Sequence, residues 1–376
     1  TSSVHCARLL LYWASPNIRC VSAMFSNKFG TLRSTFAILG FAEYKVRLGN
    51  VLEQVRYIAL DFCYICKDMS KEEKRWGVMP MVYFLRLLAL QPLKVHYFWG
   101  KCLSWIAENL IRYRRDTVMI NLARSFPEKK YKEIGQIATG FYHHFGRLVA
   151  ETVWFAGAYN IKRLVASHIC TISNPQFLNE LYASTPGVVI LTSHFGNWEI
   201  IGGVMNYAGK DGLDFDESRV TVVYKHLESG LWDGVMRYNR CSPIRPEHYG
   251  LCYVETWEIL RFMVAHRKEK RLYIFPTDQC PYKRAGSHEV ADFMHQKTLT
   301  MTGGAAIARK FGMAVCYMSL KEKRDGVGYE MEFKEICRDA NVMTPEDIMN
   351  DFYKYLEEDI CVQPSNYLWT HKRWKK

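Results

Sequence analysis

The chain has 376 residues, of which 49% are hydrophobic and 14% aromatic, and its formal net charge is +12. This length allows a large hydrophobic core, and one catalytic domain with an N-terminal extension is the simplest organisation. A basic surface favours anionic partners: an acidic carrier protein, a membrane leaflet or a nucleic acid. The sequence contains no nucleic-acid-binding motif and no zinc-finger spacing, so nucleic acid is the least favoured of the three.

Residues 1–68 combine short apolar stretches with scattered charges and predict an N-terminal extension of unclear role. Cys63 and Cys66 have the C-x-x-C spacing, but a zinc site needs a second pair, so we interpret both as reduced thiols. No small-residue cleavage site follows the first apolar stretch, which disfavours a secretory signal and favours a reducing, cytoplasmic setting. From Met69 a hydrophilic start leads into an apolar run, and we expect the working protein to begin near this residue.

The stretch at 80–106 is rich in Leu, Phe, Tyr and Trp and predicts a membrane-associated helix or helix pair. A spanning helix needs about 20 mostly apolar residues, and basic residues interrupt this stretch. Interleaved basic and aromatic residues suit a helix that lies in the membrane interface, so we expect peripheral attachment; a buried amphipathic helix is the alternative. Residues 107–165 continue with apolar positions at helical spacing. We therefore assign 69–165 to a membrane-associated helical region.

From about residue 185 the pattern changes to short apolar strands that alternate with helices. The alternation is typical of an α/β fold with a mainly parallel central sheet flanked by helices. We assign this core to residues 166–376. The predicted strands cover 188–191, 220–224, 272–275, 314–318 and 329–333, and the predicted helices cover about 230–240, 254–267, 298–311 and 345–359.

The first of these strands leads directly into the sequence HFGNWE, residues 194–199. His194 then lies at the carboxyl end of a strand, the edge of an open α/β sheet where sites are found, and Glu199 lies near the start of a helix. Gly196 permits a turn between them, so we expect the carboxylate of Glu199 to reach the imidazole. The spacing H-x4-E alone is no rarer than chance, and the strand-to-helix setting carries the prediction.

The chemistry of these residue types indicates a general base. A neutral imidazole can take a proton from a hydroxyl near neutral pH, and a carboxylate on its other ring nitrogen fixes the tautomer. We therefore predict that His194 activates a substrate hydroxyl while Glu199 orients the imidazole. Ser193 is expected to point to the opposite face of the strand, which favours direct transfer over an enzyme-bound intermediate.

The word HFGNWE after an apolar strand resembles the signature of the bacterial lipid A biosynthesis acyltransferases, the late lauroyl and myristoyl transferases, to which mycobacterial phosphatidylinositol mannoside acyltransferases are related. The resemblance extends from about residue 80 to the C-terminus and has no counterpart for residues 1–68. It includes further short sequence motifs in the same order, at 113–115, 121–128, 146–147, 150–152, 223–224, 277–279, 300–306, 367–369 and 373–374.

The resemblance implies a role for each matching position. His194 matches the catalytic histidine of the family's HX4E motif, and Glu199 matches its paired acid. Arg240 and Asp278 match a functional arginine and a strand-end aspartate. By its own chemistry, Arg240 offers a planar fork for a phosphate headgroup, or else it is a surface charge of a helix. Asp278 follows an apolar strand, which favours a site role, and Asn197 is expected to bind substrate or to support the site.

For the whole chain, the resemblance implies a glycerolipid acyltransferase-like fold. It also implies transfer of a fatty acyl group from a thioester, with acyl carrier protein as donor, to a hydroxyl of a glycolipid such as a lipid A precursor. The place implied is the cytoplasmic face of the inner membrane, with no metal or cofactor required and with backbone amides around the oxyanion. The alternatives are transfer to another membrane lipid (a lysophospholipid, a mannolipid or an amino lipid), a hydrolase or thioesterase, and a non-catalytic membrane-associated binding protein.

Overall fold

The structure, a computed structural model, describes residues 77–281 and 287–374. The predictions for residues 1–68, including the C-x-x-C pair, and for a start near Met69 lie outside this part of the chain. Within the part described, a series of helices comes first, and the strands follow from residue 170 onward.

Helices that precede the first strand include the predicted helix pair. Pro92 divides this pair, because proline lacks a backbone N–H and its fixed φ fits only the start of a helix. Within the described ranges no helix alone is long and apolar enough to cross a bilayer. The first two helices, with the π-helical extension of the second, are long and apolar enough only when taken together, and the angle between them is 111°. The helices are α1 (Val78–Ala89), α2 (Leu93–Trp105) with a π-helix at Ile106–Leu110, α3 (Arg115–Ser125), α4 (Tyr131–Phe155) and α5 (Ile161–Ser167).

The strands of the described residues form one seven-stranded sheet and one separate hairpin. They are β1 (Cys170–Ile172), β2 (Val188–Thr192), β3 (Val220–Tyr224), β4 (Tyr253–Glu255), β5 (Leu272–Pro276), β6 (Ser287–Phe293), β7 (Gln296–Met301), β8 (Ala314–Glu322) and β9 (Tyr329–Cys337). The order in the sheet is β1-β9-β8-β2-β5-β3-β4, and β6 pairs with β7. Strands β2, β3, β4, β5 and β8 run parallel, whereas β9 is antiparallel to β8. This confirms the predicted α/β fold with a mainly parallel sheet.

Two predicted helices begin later in the structure than expected. Strand β4 occupies the start of the helix predicted at 254–267, and strand β7 occupies the start of the one predicted at 298–311. Both pieces contain β-branched residues that suit a pleated surface, such as Val254 and Thr298, and both find a partner strand. The remaining helices are α6 (Pro175–Ser184), α7 (Gly230–Arg240), α8 (Tyr249–Cys252), α9 (Ile259–Ala265), α10 (Gly303–Phe311) and α11 (Pro345–Val362), with 3₁₀-helices at Trp198–Asn206, Glu217–Arg219, Pro246–His248, Ala340–Val342 and Pro364–Asn366.

Strand β2 lies at the centre of the sheet and is buried along its whole length. Its side chains alternate between two hydrophobic clusters: Val188 and Ile190 pack into one, and Val189 and Leu191 into the other. The sheet is therefore covered on both faces, as expected for parallel strands. Each fully buried aliphatic side chain of this kind contributes about 1.5–3 kcal/mol relative to an exposed one.

The pairing of β2 with β5 determines which residues meet at the carboxyl edge of the sheet. Thr192 is in register with Pro276, and the N–H of Thr277 donates to the carbonyl oxygen of Thr192 at 3.0 Å. The two chains therefore leave the sheet side by side. His194 follows one of them and Asp278 follows the other, so both lie at the edge where α/β proteins build their sites.

Candidate active site

The segment after β2 makes a sharp turn at Gly196, where φ is +68°. A Cβ at this position would lie 2.2 Å from the carbonyl oxygen of Leu320, so only glycine fits. The C-terminal part of the chain fixes the same segment through its backbone. The Gly196 N–H donates to the carbonyl of Asn366 at 3.0 Å, and the Leu368 N–H donates to that of His194 at 3.1 Å. These contacts give His194 a defined direction as it leaves the strand.

The imidazole of His194 lies between Asp278 and Gln279. Its Nδ1 is 2.7 Å from Oδ1 of Asp278, and its Nε2 is 2.9 Å from the side-chain amide nitrogen of Gln279. With the proton on Nδ1, the imidazole donates to the carboxylate, and Nε2 accepts from the amide N–H. Nε2 is then the basic nitrogen, and a substrate hydroxyl that displaces the amide can give its proton to it.

Asp278 is buried, at 2% exposure, whereas the side chain of His194 is 15% exposed. Burial alone would raise the pKa of Asp278, but His194 and its hydrogen bond outweigh burial and hold the pKa below its usual range. Arg373 acts in the same direction, and the buried Tyr367 lies near the same carboxyl group. The carboxylate is therefore ionised at neutral pH and stabilises an imidazolium when Nε2 takes a proton.

Glu199 is paired with Arg240. Nε of the guanidinium is 2.6 Å from Oε2 and Nη2 is 2.9 Å from Oε1, and the indole N–H of Trp198 donates to Oε1 at 3.1 Å. Burial alone would raise the pKa of Glu199, but Arg240 outweighs burial and lowers it. Glu199 is thus an ionised carboxylate whose two oxygens are both held by a planar, bidentate partner.

The prediction that the Glu199 carboxylate reaches the imidazole of His194 is wrong. The carboxylate on the imidazole belongs to Asp278, because neighbouring strands bring those two residues together. Glu199 turns instead toward α7, which packs very closely against the 3₁₀-helix of the site. A Cβ on Gly202 of that 3₁₀-helix would lie 2.0 Å from the carbonyl oxygen of Arg240. This close approach places the guanidinium, and not the imidazole, within reach of the Glu199 carboxylate.

The two remaining predicted site residues lie inside the same network. The fork of Arg240, expected to face a phosphate headgroup or solvent, is engaged by Glu199, and its side chain is 16% exposed. Asn197 is fully buried. Its Oδ1 accepts the backbone N–H of Glu199 at 3.1 Å, and its Nδ2 donates to Glu151 at 2.9 Å. Both polar ends of Asn197 bind protein groups, which favours the supporting role over the substrate-binding role.

Sequence reasoning assigned no role to four side chains that the structure places at or behind the site. They are Trp198, Gln279, Tyr367 and Glu151. The ring of Trp198 meets the ring of His194 edge-on, with 4.8 Å between the centroids. All four lie in sequence motifs that carry the family resemblance, and this resemblance was the only signal in the sequence that pointed to them.

The chemistry that these side chains offer is proton transfer combined with fixed charges. One imidazole, two ionised carboxylates and one guanidinium lie at the carboxyl edge of the sheet. Across the ranges 77–281 and 287–374, no group of three or more His, Cys, Asp or Glu side chains is arranged to hold a metal ion. A partly exposed imidazole backed by a buried carboxylate is the arrangement that activates a hydroxyl for attack on a carbonyl carbon.

Comparison with known proteins identifies the family. The family described as bacterial lipid A biosynthesis acyltransferase matches residues 67–376, a range that includes every site residue discussed above. The chain belongs to the bacterial lipid A biosynthesis acyltransferase family. It is therefore a member of an acyltransferase family, and this membership implies an acyl donor and a lipid acceptor.

Three lipid A acyltransferases are similar to the chain. It is 23% identical over 295 residues to the lipid A biosynthesis palmitoleoyltransferase of Escherichia coli (strain K12). The aligned residues cover 76% of this chain and 86% of that protein. The same figures apply to the lipid A biosynthesis acyltransferase of Shigella flexneri. The lipid A biosynthesis lauroyltransferase of Escherichia coli (strain K12) is 23% identical over 298 residues, 77% of this chain and 89% of that protein. The acyl chain that each relative transfers is a property of that relative.

Proposed function

We propose that this family member transfers a fatty acyl group from the thioester of acyl carrier protein to a hydroxyl of a lipid A precursor. The observation that carries the proposal is the pair of His194 and Asp278, in which a buried carboxylate backs a partly exposed imidazole. The relatives named above are lipid A biosynthesis acyltransferases, which supports the substrate class.

In the proposed reaction, Nε2 of His194 accepts the proton of the acceptor hydroxyl while the oxygen attacks the thioester carbonyl carbon. Asp278 keeps the proton on Nδ1 and stabilises the imidazolium. When the tetrahedral oxyanion collapses, the new C–O bond remains and the C–S bond breaks. The imidazolium then returns the proton to the leaving thiolate, so the imidazole ends the cycle as it began.

The acceptor hydroxyl attacks directly, without an acylated serine. Ser193, the neighbour of His194, is 2% exposed. A hydroxyl buried in this way cannot approach the carbonyl carbon of a bulky thioester. The role of nucleophile therefore falls to the hydroxyl of the lipid acceptor.

The pair of Glu199 and Arg240 acts beside the imidazole as a fixed charge pair. The carboxylate lies within electrostatic range of His194, and the two oxygens remain bound by the guanidinium. We assign the pair the task of holding the 3₁₀-helix of the site against α7. In this position it defines one side of the approach of the acceptor to Nε2, and a misplacement of about 1 Å there would slow the reaction strongly.

A lipid acceptor requires a membrane surface, and the N-terminal helices offer one that fits. Exposed basic side chains accompany the apolar ones there, including Lys94 and Lys101. Aromatic and basic side chains together suit the interface of an anionic leaflet. We propose attachment to the cytoplasmic face of the inner membrane through this aromatic surface. It consists of Phe84, Leu87, Phe98, Trp99, Trp105 and Leu110, which are between 53% and 66% exposed.

The test is the mass of lipid A from a Gram-negative host whose own late acyltransferase has been deleted. Expression of the wild-type chain is expected to add the mass of one fatty acyl group, and His194→Ala at the same protein level is expected to add none. If the fatty acyl group is added to a phospholipid instead, the acceptor is a phospholipid and not a lipid A precursor. Free fatty acid released from the carrier protein without any acceptor would indicate a thioesterase. Equal lipid A masses from wild type and His194→Ala would contradict the mechanism.

A further inference from the structure

Helix α4 carries three polar side chains where it passes the segment 194–199: His144, Arg147 and Glu151. They stand at positions i, i+3 and i+7, which places them on one side of the helix. His144 is 6% exposed, Glu151 is 0% exposed, and the side chain of Arg147 is 17% exposed. Buried polar groups cost free energy unless they are hydrogen-bonded, so this polar row of α4 requires specific partners.

Two members of the polar row bind the segment that carries the catalytic residues. Nε2 of His144 is 3.2 Å from the carbonyl oxygen of Gly196. Oε2 of Glu151 accepts from Nδ2 of Asn197 at 2.9 Å. The other end of Asn197 accepts the backbone N–H of Glu199 at 3.1 Å. A continuous chain of hydrogen bonds therefore leads from α4 through Asn197 to the backbone of Glu199.

Glu151 is held from the opposite side as well. Its Oε1 accepts from the hydroxyl of Tyr97 on α2 at 3.0 Å and forms an ion pair with Nε of Arg147 at 3.2 Å. Arg147 also binds the carboxylate of Glu322 on β8 and the carbonyl oxygen of Gly326. Tyr97, Arg147 and Asn197 each present a donor or a cation to Glu151, so both of its oxygens act as acceptors.

We propose that Glu151 is a positioning residue of the acyl transfer: through Asn197 it sets where Glu199 lies beside the imidazole. The inference rests on the proposed function, because it gives Glu151 a part in that reaction. A buried ion pair is by itself weak evidence for stability, since apolar side chains often replace one without loss. One oxygen of the Glu151 carboxylate pairs with Arg147 on the same helix, and the other binds Asn197 in the catalytic segment, which distinguishes Glu151 from an ion pair confined to α4.

The test compares Glu151→Gln with the reciprocal double variant Glu151→Gln/Asn197→Asp. In the single variant, the new side-chain amide of residue 151 places an N–H where a carboxylate oxygen accepted a hydrogen bond. This N–H faces another donor, so residue 151 loses a hydrogen bond to Asn197, Tyr97 or Arg147. In the double variant the new amide N–H donates to the new carboxylate, which still accepts the N–H of Glu199. We expect kcat to fall about 10-fold or more in the single variant with KM unchanged, because misplaced groups slow the chemical step. Most of kcat should return in the double variant.

Two further variants keep this test decisive. Glu322→Gln is the matched control, because it removes a carboxylate from Arg147 while the bond to Asn197 stays, and we expect kcat to stay near the wild-type value. If Glu151→Gln does not fold, Tyr97→Phe removes one hydrogen bond from Glu151 and leaves its charge. We expect kcat about two- to fivefold lower in Tyr97→Phe, the effect of one modest hydrogen bond, with KM unchanged.

Hydrogen exchange of the peptide that spans 194–203 provides a readout that does not depend on turnover. Faster exchange in Glu151→Gln and recovery in the double variant would support the inference. Wild-type kcat and wild-type exchange in Glu151→Gln would overturn it, and so would a double variant as slow as the single one. If the wild-type enzyme itself transfers no acyl group, the proposed function fails, and the exchange measurement still decides whether Glu151 positions the segment.

Discussion

The front and the rear of the segment 194–199 are held by different kinds of contact. At the front, the side chains of His194 and Glu199 bind a carboxylate and a guanidinium, and they are 15% and 10% exposed. At the rear, Gly196 and Asn197 are bound by the buried polar row of α4. The imidazole that must exchange a proton with a substrate is thus partly open, whereas His144, Glu151 and Asn197, which fix geometry, are more deeply buried. We expect front variants to change the rate directly, and rear variants to change it through the position of the catalytic segment and to change stability as well.

The largest effect is expected at the front, from Asp278→Asn. The amide can present an N–H to Nδ1, which favours the wrong tautomer, and it no longer stabilises the imidazolium. We expect kcat to fall by up to about 10⁴-fold, as when the carboxylate of a hydrolase triad becomes an amide. Steady-state transfer assays measure this, with the exposed Asp211→Asn as control. Near-wild-type turnover by Asp278→Asn would show that this carboxylate does not orient the base.

Arg240→Lys tests the second contact of the front, since it keeps the positive charge and removes the planar fork. An ammonium group cannot form the two parallel hydrogen bonds that the guanidinium makes to Glu199, and one lost charge-assisted hydrogen bond costs about 1.5–3 kcal/mol. We expect kcat/KM to fall about 10- to 100-fold. Arg245→Lys is the control, because its ion pair with Glu217 is exposed and contributes little. Unchanged kcat/KM in Arg240→Lys would mean that the reaction does not use the fork.

The aromatic surface extends the comparison to α2, whose Tyr97 joins the rear network while its neighbour Trp99 is 61% exposed. One large side chain inserted into a membrane contributes about 1.5–3 kcal/mol, so Trp99→Ser should weaken binding to anionic vesicles by about tenfold or more. Vesicle sedimentation measures the change, and Trp257→Ser provides a control with a similarly exposed ring. Equal vesicle binding by wild type and Trp99→Ser would place the membrane contact elsewhere.

His144→Gln sharpens the comparison at the rear. Burial, with Arg147 in the same direction, lowers the pKa of His144 to about 3, so the folded protein keeps this imidazole neutral near pH 7. Only the unfolded chain takes up the proton below about pH 6.5, so stability is complete above that pH and decreases as pH falls toward 3. The slope is about 1.4 kcal/mol per pH unit.

Glutamine at position 144 does not titrate, so the variant lacks this loss of stability. The difference in unfolding free energy between wild type and His144→Gln should therefore shift by about 2 kcal/mol in favour of the variant between pH 8 and pH 5. Chemical denaturation at the two pH values measures it. A difference that is independent of pH would contradict a neutral, buried His144.

The sequence predicted where the site lies, but not which side chains meet there. His194 and Asp278 each follow an apolar strand, so their place at the carboxyl edge of the sheet could be read from the pattern. The order of strands in the sheet could not, because the same alternation permits several orders. That order brings Asp278 to the imidazole and leaves Glu199 to Arg240.

Long apolar strands were predictable, and short or polar elements were not. The strands at 188–191 and 272–275 are buried on both faces, which makes their composition unmistakable. Strand β4 spans three residues, and only its pairing with β3 makes this segment a strand and not the start of a helix. Arg147 and Glu151 look like surface residues of a helix in the sequence, because their burial depends on partners far along the chain.

The most direct test of the account is acyl transfer by purified His194→Ala, from acyl carrier protein to a lipid A precursor, beside the wild type. Loss of a general base is expected to lower kcat by about 10²- to 10⁴-fold, with the circular dichroism spectrum and thermal midpoint retained. His143→Ala, an exposed histidine on α4, serves as the control and should keep wild-type turnover. A folded His194→Ala enzyme that transfers the acyl group at the wild-type rate would contradict the account.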